Sequence, residues 1–241
     1  MARGTLTRLR STVAALFIAF AIGGLYAQQD ERANPRARAP LTILQINDVY
    51  SALPVDGAGG LARVATLKRQ LADAGRTPFL VLAGDFLGPS VASSVFKGQQ
   101  MVEALNAAGL DLATLGNHEF DFGDDVLIER MREARFEWVV SNVVDTSTGR
   151  PIGDAAPFLV KTFGPLKVGF IGLCLTSSEI TPQKLTHTRL IDPLAAAARY
   201  LPEMKRQGAT VIVAVTHLAF ADDRALVETF PEIDLVIGTS S

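Results

Sequence analysis

Short apolar runs that alternate with helical patterns are the sequence feature that most constrains the fold of this chain. The alternation begins at Leu41 and continues almost to the last residue. Runs of this kind, separated by stretches of helical periodicity, predict an α/β domain built around buried strands. The predicted strands are Leu41–Ile46, Pro78–Ala83, Asp111–Leu115, Trp138–Asn142, Phe158–Thr162, Val168–Leu173, Thr210–Val215 and Leu235–Ile237.

Apolar stripes between these runs predict helices that pack one face on the core. Asp192 and Pro193 favour a helix start, because Asp can cap a helix and Pro suits its first position, whereas Pro202 should kink or end the same helix. Gly164–Pro165 between two strand-like runs predicts a hairpin turn. The stripes are Leu61, Val64, Leu67 and Leu71; Met101, Leu105 and Ala108; and Leu194, Ala198 and Leu201.

Composition excludes several classes of protein. The chain has 241 residues, of which 48% are hydrophobic and 20% charged, so it is neither largely disordered nor fibrous. Its formal net charge of -2 carries no basic excess, and we expect no nucleic-acid partner. The single cysteine, Cys174, lies in an apolar run and is interpreted as a small buried side chain.

The first residues have the order of a secretory signal peptide. Arg3, Arg8 and Arg10 precede an apolar stretch that closes at Ala27, so residues 1–27 are predicted to be removed on export. Residues 28–40 then form a flexible leader, and the protein is expected to be periplasmic or secreted. The alternative is an uncleaved anchor, and only in that case would a membrane be a partner.

Polar side chains follow the ends of strongly apolar runs at Asp48, Asp85, Asn117 and His217. Ligands of open α/β sheets bind at the carboxyl ends of the strands, so these side chains should converge. Carboxylate, amide and imidazole groups suit divalent Zn, Mn, Fe or Ni, and two ions would need a shared carboxylate. Each residue also has a structural alternative: the aspartates could cap turns or helices, Asn117 could serve a turn, and His217 could be a buried, hydrogen-bonded histidine.

Motifs in a characteristic order give the chain a family resemblance. It resembles the amino-terminal metallophosphoesterase domain of bacterial 5'-nucleotidases, within the calcineurin-like superfamily, from about Leu41 to Gly238. The resemblance implies a four-layer αββα sandwich of two mixed sheets. The motifs are Ile46-Asn47-Asp48, Gly59-Gly60-Leu61-Ala62-Arg63, Gly84-Asp85-Phe86-Leu87-Gly88, Lys97-Gly98, Asn106, Gly116-Asn117-His118-Glu119-Phe120-Asp121 and Ser141-Asn142.

The same resemblance implies roles for individual residues. Asp85 would bridge two divalent metal ions, with Asp48 on the first ion and Asn117 and His217 on the second. His118 would face the leaving group of a small phosphate ester such as a nucleotide, and Asp121 would orient its imidazole. The ions would activate a water for in-line attack on phosphorus. The alternative for His118 is a buried turn histidine.

Three further motif residues have weaker assignments. Arg63 could belong to the site or be only a charge on a helix surface. Asn142 could likewise belong to the site or serve a turn at the end of a strand. Glu119 receives no role.

The chain departs from the family pattern at two places. Tyr50 stands where the family usually has a histidine two residues after the first ligand Asp, and a phenol is a poor ligand unless deprotonated. The family's Gly-His-x-His is replaced by Thr239-Ser240-Ser241, with Ser240 at the place of its first histidine. The domain, residues 41–241, is therefore expected to be incomplete at its carboxyl end.

These departures leave more than one functional reading. We expect a metal-dependent phosphoesterase that hydrolyses nucleotides or related phosphate esters or, alternatively, a truncated, weakly active or inactive phosphate-ester-binding remnant of such an enzyme. A serine hydrolase is disfavoured, because no Gly-x-Ser-x-Gly elbow occurs in the sequence.

Overall fold

The structure is a computed structural model, and it describes residues 41–175 and 185–239. The predicted signal peptide at 1–27, the leader at 28–40, and Ser240 and Ser241 lie outside these residues. Within the two described ranges, no helix is long and apolar enough to cross a membrane.

The described residues form ten strands and six α-helices. The strands are β1 (Thr42–Ile46), β2 (Pro78–Ala83), β3 (Leu112–Thr114), β4 (Glu137–Trp138), β5 (Val143–Asp145), β6 (Leu159–Phe163), β7 (Leu166–Cys174), β8 (Thr188–Leu190), β9 (Val211–His217) and β10 (Leu235–Thr239). The helices are α1 (Leu61–Asp73), α2 (Val91–Phe96), α3 (Gln99–Ala108), α4 (Asp124–Glu133), α5 (Pro193–Arg206) and α6 (Phe220–Thr229). Two 3₁₀ turns span His118–Phe120 and Ile152–Asp154.

Two four-stranded sheets dominate the fold. The first has the order β1-β2-β3-β4, and all its strands are parallel. The second has the order β10-β9-β7-β6, with β6 antiparallel to β7 across the predicted Gly164–Pro165 hairpin and the other pairs parallel. β5 and β8 form a small antiparallel pair.

Alternating side chains place the two sheets face to face between helices. On β2, Phe79, Val81 and Ala83 pack in a cluster with residues of β7 and β9 such as Phe170 and Val213, so this cluster lies between the sheets. The intervening Leu80 and Leu82 belong instead to the core that includes the helices. Because successive side chains of a strand point to opposite faces, each sheet buries both faces. The expected four-layer αββα sandwich is confirmed, but only the second of the two sheets is mixed, because the described strands of the first are all parallel.

Most predicted strands are present with shifted ends, and one is much shorter than expected. The run Trp138–Asn142 contributes only Trp138 to β4, because the amides after Val139 bond elsewhere: Val140 donates to Ala156 and Ser141 to Gly172. The short strands β5 and β8 and the helices α2, α4 and α6 were not predicted. Their pairing and burial depend on contacts between distant segments, which periodicity does not report.

The helical stripes were partly wrong. Leu67 is exposed, and so is Ala198, because α5 buries the face that carries Ala197, Leu201 and Met204. Asp192 caps α5 as expected, with its carboxylate accepting from the amide of Ala195 at 2.8 Å. Pro202 does not end the helix, which continues to Arg206. Burial of residues on both sides of the proline stabilises the helix against the lost hydrogen bond.

Candidate metal centre

The polar strand ends converge where the two sheets meet. β1, β2 and β3 are parallel neighbours, so the loops that carry Asp48, Asp85 and Asn117 leave the same edge of the first sheet. β9 of the second sheet ends at His217, whose Nδ1 lies 2.9 Å from the carbonyl oxygen of Ala83. This hydrogen bond joins the ends of the two sheets.

Three of the predicted ligands form one cluster. Asp48, Asp85 and His217 each offer a ligand atom, and these atoms lie within 4.8 Å of one another. Nε2 of His217 is 3.2 Å from Oδ2 of Asp85, and both side chains are almost fully buried. A carboxylate pair with an imidazole at this spacing suits a divalent cation. The same contacts also fit the alternative, in which His217 is a buried and hydrogen-bonded histidine. The arrangement is therefore compatible with a metal ligand and with a structural histidine.

The backbone at the centre adopts conformations that most residues avoid. Asp48 and Asp85 have φ values of 52° and 60°. Non-glycine residues in this region carry strain of order 1 kcal/mol or more, and such strain often lies at functional sites. Glycine is required beside them: a Cβ on Gly84 would lie 2.7 Å from Nδ1 of His217, and one on Gly116 would overlap Oδ1 of Asp85.

Glu119 is the site residue that sequence reasoning missed. Its carboxylate is buried, with Oε2 accepting from the amides of Asp85 and Gly116 and Oε1 from those of Phe86 and Leu87, at 2.6–3.1 Å. Burial, together with the charge of Asp85, raises the pKa of Glu119. Glu119 therefore holds the β2 and β3 loops in register, and a glutamate inside the Gly-Asn-His-Glu-Phe-Asp string was the available signal.

The electrostatics of the cluster favour a charged pair. Burial alone would lower the pKa of His217, but the hydrogen bond and charge of Asp85, with the Ala83 carbonyl, raise it to about 9. Burial would raise the pKa of Asp48, but hydrogen bonds from Asn47, Thr239 and other neighbours lower it below 3.8. These two shifts favour an anionic Asp48 and a protonated His217.

Tyr50, the departure from the family pattern, lies inside the cluster. Its hydroxyl donates to Oδ1 of Asp48 at 3.0 Å and lies 3.2 Å from Oδ2 of Asp85. Burial and the charge of Asp85 raise the pKa of the phenol well above 10.0, so it is neutral at ordinary pH. The phenol contacts both carboxylates as a proton donor.

His118 and Asp121 form the predicted pair. Nδ1 of His118 lies 2.9 Å from Oδ2 of Asp121, and the imidazole is 31% exposed. The backbone amide of His118 donates to Oδ1 of Asp85 at 2.9 Å, which ties the pair to the cluster. The alternative of a buried turn histidine is half right: His118 begins a 3₁₀ turn, but its ring reaches solvent.

The remaining motif residues separate into different environments. Asn117 immediately precedes the His118 turn and is half-buried beside the cluster's glycine, Gly116. Arg63 donates to the carbonyl oxygens of Gly57 and Gly59, so it closes a glycine-rich loop. Asn142 is buried, and its side chain bonds to the backbone of Cys174 at the end of β7, which is a structural role. Cys174 itself is buried, as expected.

A surface cavity adjoins the cluster. Its volume is about 540 Å³, and its wall includes Asp48, Tyr50 and the glycine-rich loop around Gly59. Apolar side chains, among them Leu53 and Val55, line the rest. A small molecule bound at the carboxylates would have room beside it.

The chain is similar in sequence to known nucleotidases. A 5'-nucleotidase of Bos taurus is 29% identical over 223 residues, which cover 86% of this chain and 39% of that protein. A 2',3'-cyclic-nucleotide 2'-phosphodiesterase/3'-nucleotidase of Haemophilus influenzae is also 29% identical, over 85% of this chain and 35% of that protein. The chain thus spans less than half the length of these relatives.

Solved structures show the same fold. The 5'-nucleotidase precursor from Thermus thermophilus superposes with a TM-score of 0.75 at 27% identity, over 83% of this chain and 41% of that one. The model of the family described as calcineurin-like phosphoesterase matches residues 41–239, which include every cluster residue described above. The chain therefore belongs to the calcineurin-like phosphoesterase family.

Proposed function

We propose that this chain hydrolyses phosphate esters of nucleotides or related small molecules, using a water activated by two divalent metal ions such as Zn, Mn or Fe. The observation that carries the proposal is the cluster of Asp48, Asp85 and His217, with His118 and Asp121 attached to it. The nucleotidase names of the relatives support the substrate class.

The donor set suits a divalent cation. Asp85 would be the ligand shared by both ions, as the family resemblance implies; its Oδ2 lies beside His217, and its Oδ1 accepts from the backbone amide of His118. Asp48 would hold the first ion, while Asn117 and His217 would hold the second. Bound divalent ions polarise phosphoryl oxygens and acidify water. The buried Asp85 carboxylate also keeps its geometry, because Glu119 fixes the loop that carries Asp85.

His118 is the proposed proton donor to the leaving oxygen. The Asp121 carboxylate can only accept a hydrogen bond, so Nδ1 of His118 donates to it and the ring is oriented with Nε2 directed elsewhere. When the imidazolium releases a proton from Nε2, the neutral ring that remains keeps its proton on Nδ1 and still donates a hydrogen bond to Asp121. The ring can therefore neutralise a departing alkoxide without losing its position.

One observation favours a second candidate, a phosphate-ester-binding module of low or no activity. Tyr50 supplies a neutral phenol where the family usually supplies an imidazole ligand, and it donates to the same carboxylates that a first ion would need. Under this candidate the chain binds esters at the cluster but turns them over feebly.

Hydrolysis and metal content measured on the same preparations test the proposal. We expect the full chain to show slow hydrolysis of a nucleoside monophosphate that depends on added Mn²⁺ or Zn²⁺ and stops with a chelator. Asp85→Asn should lose both metal and activity, whereas His118→Ala should lose activity and keep most of its metal. Chelator-insensitive hydrolysis, or full activity in His118→Ala, would contradict the mechanism; metal and ester binding without turnover would favour the second candidate.

We also propose that the protein is exported to the periplasm or secreted. The basic, apolar and small-residue order of residues 1–27 supports this location. Amino-terminal sequencing of exported material should find a start at or near Gln28. Recovery of an intact Met1 or Ala2 start from a membrane fraction would support an anchor instead.

A further inference from the structure

Tyr50 is the polar side chain that contacts both aspartates of the cluster. Its phenolic oxygen lies 3.0 Å from Oδ1 of Asp48 and 3.2 Å from Oδ2 of Asp85, and the one hydroxyl proton is shared between these two acceptors. Two carboxylates held this close repel each other unless a cation or a proton donor lies between them. The imidazole of His217 serves this purpose at Asp85. Among the described hydrogen bonds, none joins the His217 imidazole to Asp48. The Tyr50 hydroxyl therefore links the pair.

The phenol is held in this position from several sides. The Tyr50 ring meets the ring of His118 edge-on, with centroids 5.9 Å apart and planes at 87°. Asp48 is oriented independently, because its Oδ2 accepts from Asn47 and from Thr239 at 2.7 Å, leaving Oδ1 for Tyr50. The hydrogen bonds to Tyr50 thus join groups that are already positioned.

A cation and the Tyr50 hydroxyl require the same carboxylate oxygens. A neutral phenol is a weak ligand, and the positive end of its O–H bond points at the atoms a divalent ion would coordinate. We propose that Tyr50 is a positioning residue that holds Asp48 and Asp85 together in the protein stripped of metal and is displaced from at least one of them when a divalent ion binds. Tyr50 thereby lowers the metal affinity of the centre. This inference rests on the proposed metal centre but not on hydrolysis.

Substitution at Tyr50 separates this role from that of a metal ligand. Tyr50→Phe removes the competing hydroxyl and the bond between the carboxylates. The stripped variant should therefore unfold at a lower temperature than the stripped wild type and show a larger upward shift with Mn²⁺. We expect it to bind Mn²⁺ at least about tenfold more tightly, which corresponds to the loss of one hydrogen bond of about 1.5 kcal/mol to a charged group. Tyr50→His should bind more tightly still, because it adds an imidazole ligand.

The experiment uses the full chain, stripped with a chelator and titrated with Mn²⁺ by calorimetry and thermal unfolding. Tyr200→Phe is the matched control, since it removes the same hydroxyl from a residue of α5 outside the cluster, whose ring packs near Phe158. The control should keep the wild-type affinity. If Tyr50→Phe does not fold, the wild type and Tyr50→His still decide the question. Displacement of the Tyr50 hydroxyl by Mn²⁺ should change the tyrosine absorbance of the wild type, and this change should be absent from Tyr50→His.

Several results would overturn the inference. Weaker Mn²⁺ binding in Tyr50→Phe would make the phenol a ligand, and unchanged affinity with unchanged stability would leave its hydroxyl without a role. No tyrosine absorbance change in the wild type would exclude displacement. Absence of Mn²⁺ binding in the wild type and Tyr50→His alike would overturn the metal centre as well. The protein could show the expected changes in Mn²⁺ affinity and stability on substitution of Tyr50 and yet hydrolyse no phosphate ester. That result would support the inference and contradict the proposed hydrolysis.

Discussion

Replacement of Glu119 by glutamine is a small chemical change, but it should destabilise the protein strongly. In the structure each carboxylate oxygen of Glu119 accepts two backbone amide protons, from Asp85 and Gly116 on one side and from Phe86 and Leu87 on the other. In Glu119→Gln one oxygen becomes an NH₂ group, which cannot accept. Two buried N–H groups then lose their partner whichever way the amide is turned.

The magnitude follows from the cost of those two groups. Each buried, unsatisfied donor costs about 1–3 kcal/mol, which gives about 2–6 kcal/mol. Removal of the charge offsets part of this cost, because burial and the charge of Asp85 raise the pKa of Glu119 and so oppose its anionic form. We expect the free energy of unfolding to fall by about 2–4 kcal/mol, a large share of the roughly 5–15 kcal/mol of a typical domain. Glu119→Ala should cost more, since all four amides lose their acceptor.

Urea unfolding followed by tryptophan fluorescence measures this difference, with linear extrapolation to water. Glu103→Gln is the matched control, because Glu103 is exposed on α3 and its substitution should change stability by less than about 0.5 kcal/mol. Metal content should fall in Glu119→Gln, because the loop that carries Asp85 loses its anchor. A glutamine variant as stable as the control would refute the assignment of Glu119 as the residue that organises these loops.

Three further predictions test separate parts of the structure. Asp85→Asn should retain much less metal after dialysis than the wild type, and equal stoichiometric metal in both would remove Asp85 from the bridging role. Gly116→Ala should lower both metal content and the midpoint of thermal unfolding, because the added Cβ would overlap Oδ1 of Asp85, and normal values for both would refute this packing. Burial would raise the pKa of Asp124, but hydrogen bonds from Thr186 and the amide of His187 lower it below 3.8. Because the folded state favours the anion, this stabilisation is present above about pH 4 and is lost as the pH falls through the lowered pKa. The difference in unfolding free energy between wild type and Asp124→Asn should therefore shrink in acid. A constant difference from pH 6 to 3 would contradict this prediction.

Local signals in the sequence indicated an α/β domain of buried strands and the three residues of the cluster, whereas the layered sandwich was implied by the family resemblance. Apolar runs are long enough to indicate buried strands by themselves, and the polar residue that ends each run marks the sheet edge where ligands bind. Asp48, Asp85 and His217 were predicted on this basis, and the structure brings them together. The cap at Asp192 and the hairpin at Gly164–Pro165 were predictable for a similar reason, since each depends on neighbouring residues alone.

Tertiary contacts decided the features that no local pattern reports. Glu119 acts through four amides, and the nearest in sequence belongs to Gly116 while the others lie more than thirty residues away, so its role depends on the meeting of two loops. Leu67 and Ala198 fit helical stripes but face solvent, because the neighbouring layer, and not the periodicity, selects which face is covered. The position of Tyr50 between two carboxylates was likewise decided by the fold: the sequence shows a tyrosine in place of a histidine, but only the packing of β1 beside β2 brings its hydroxyl to Asp85.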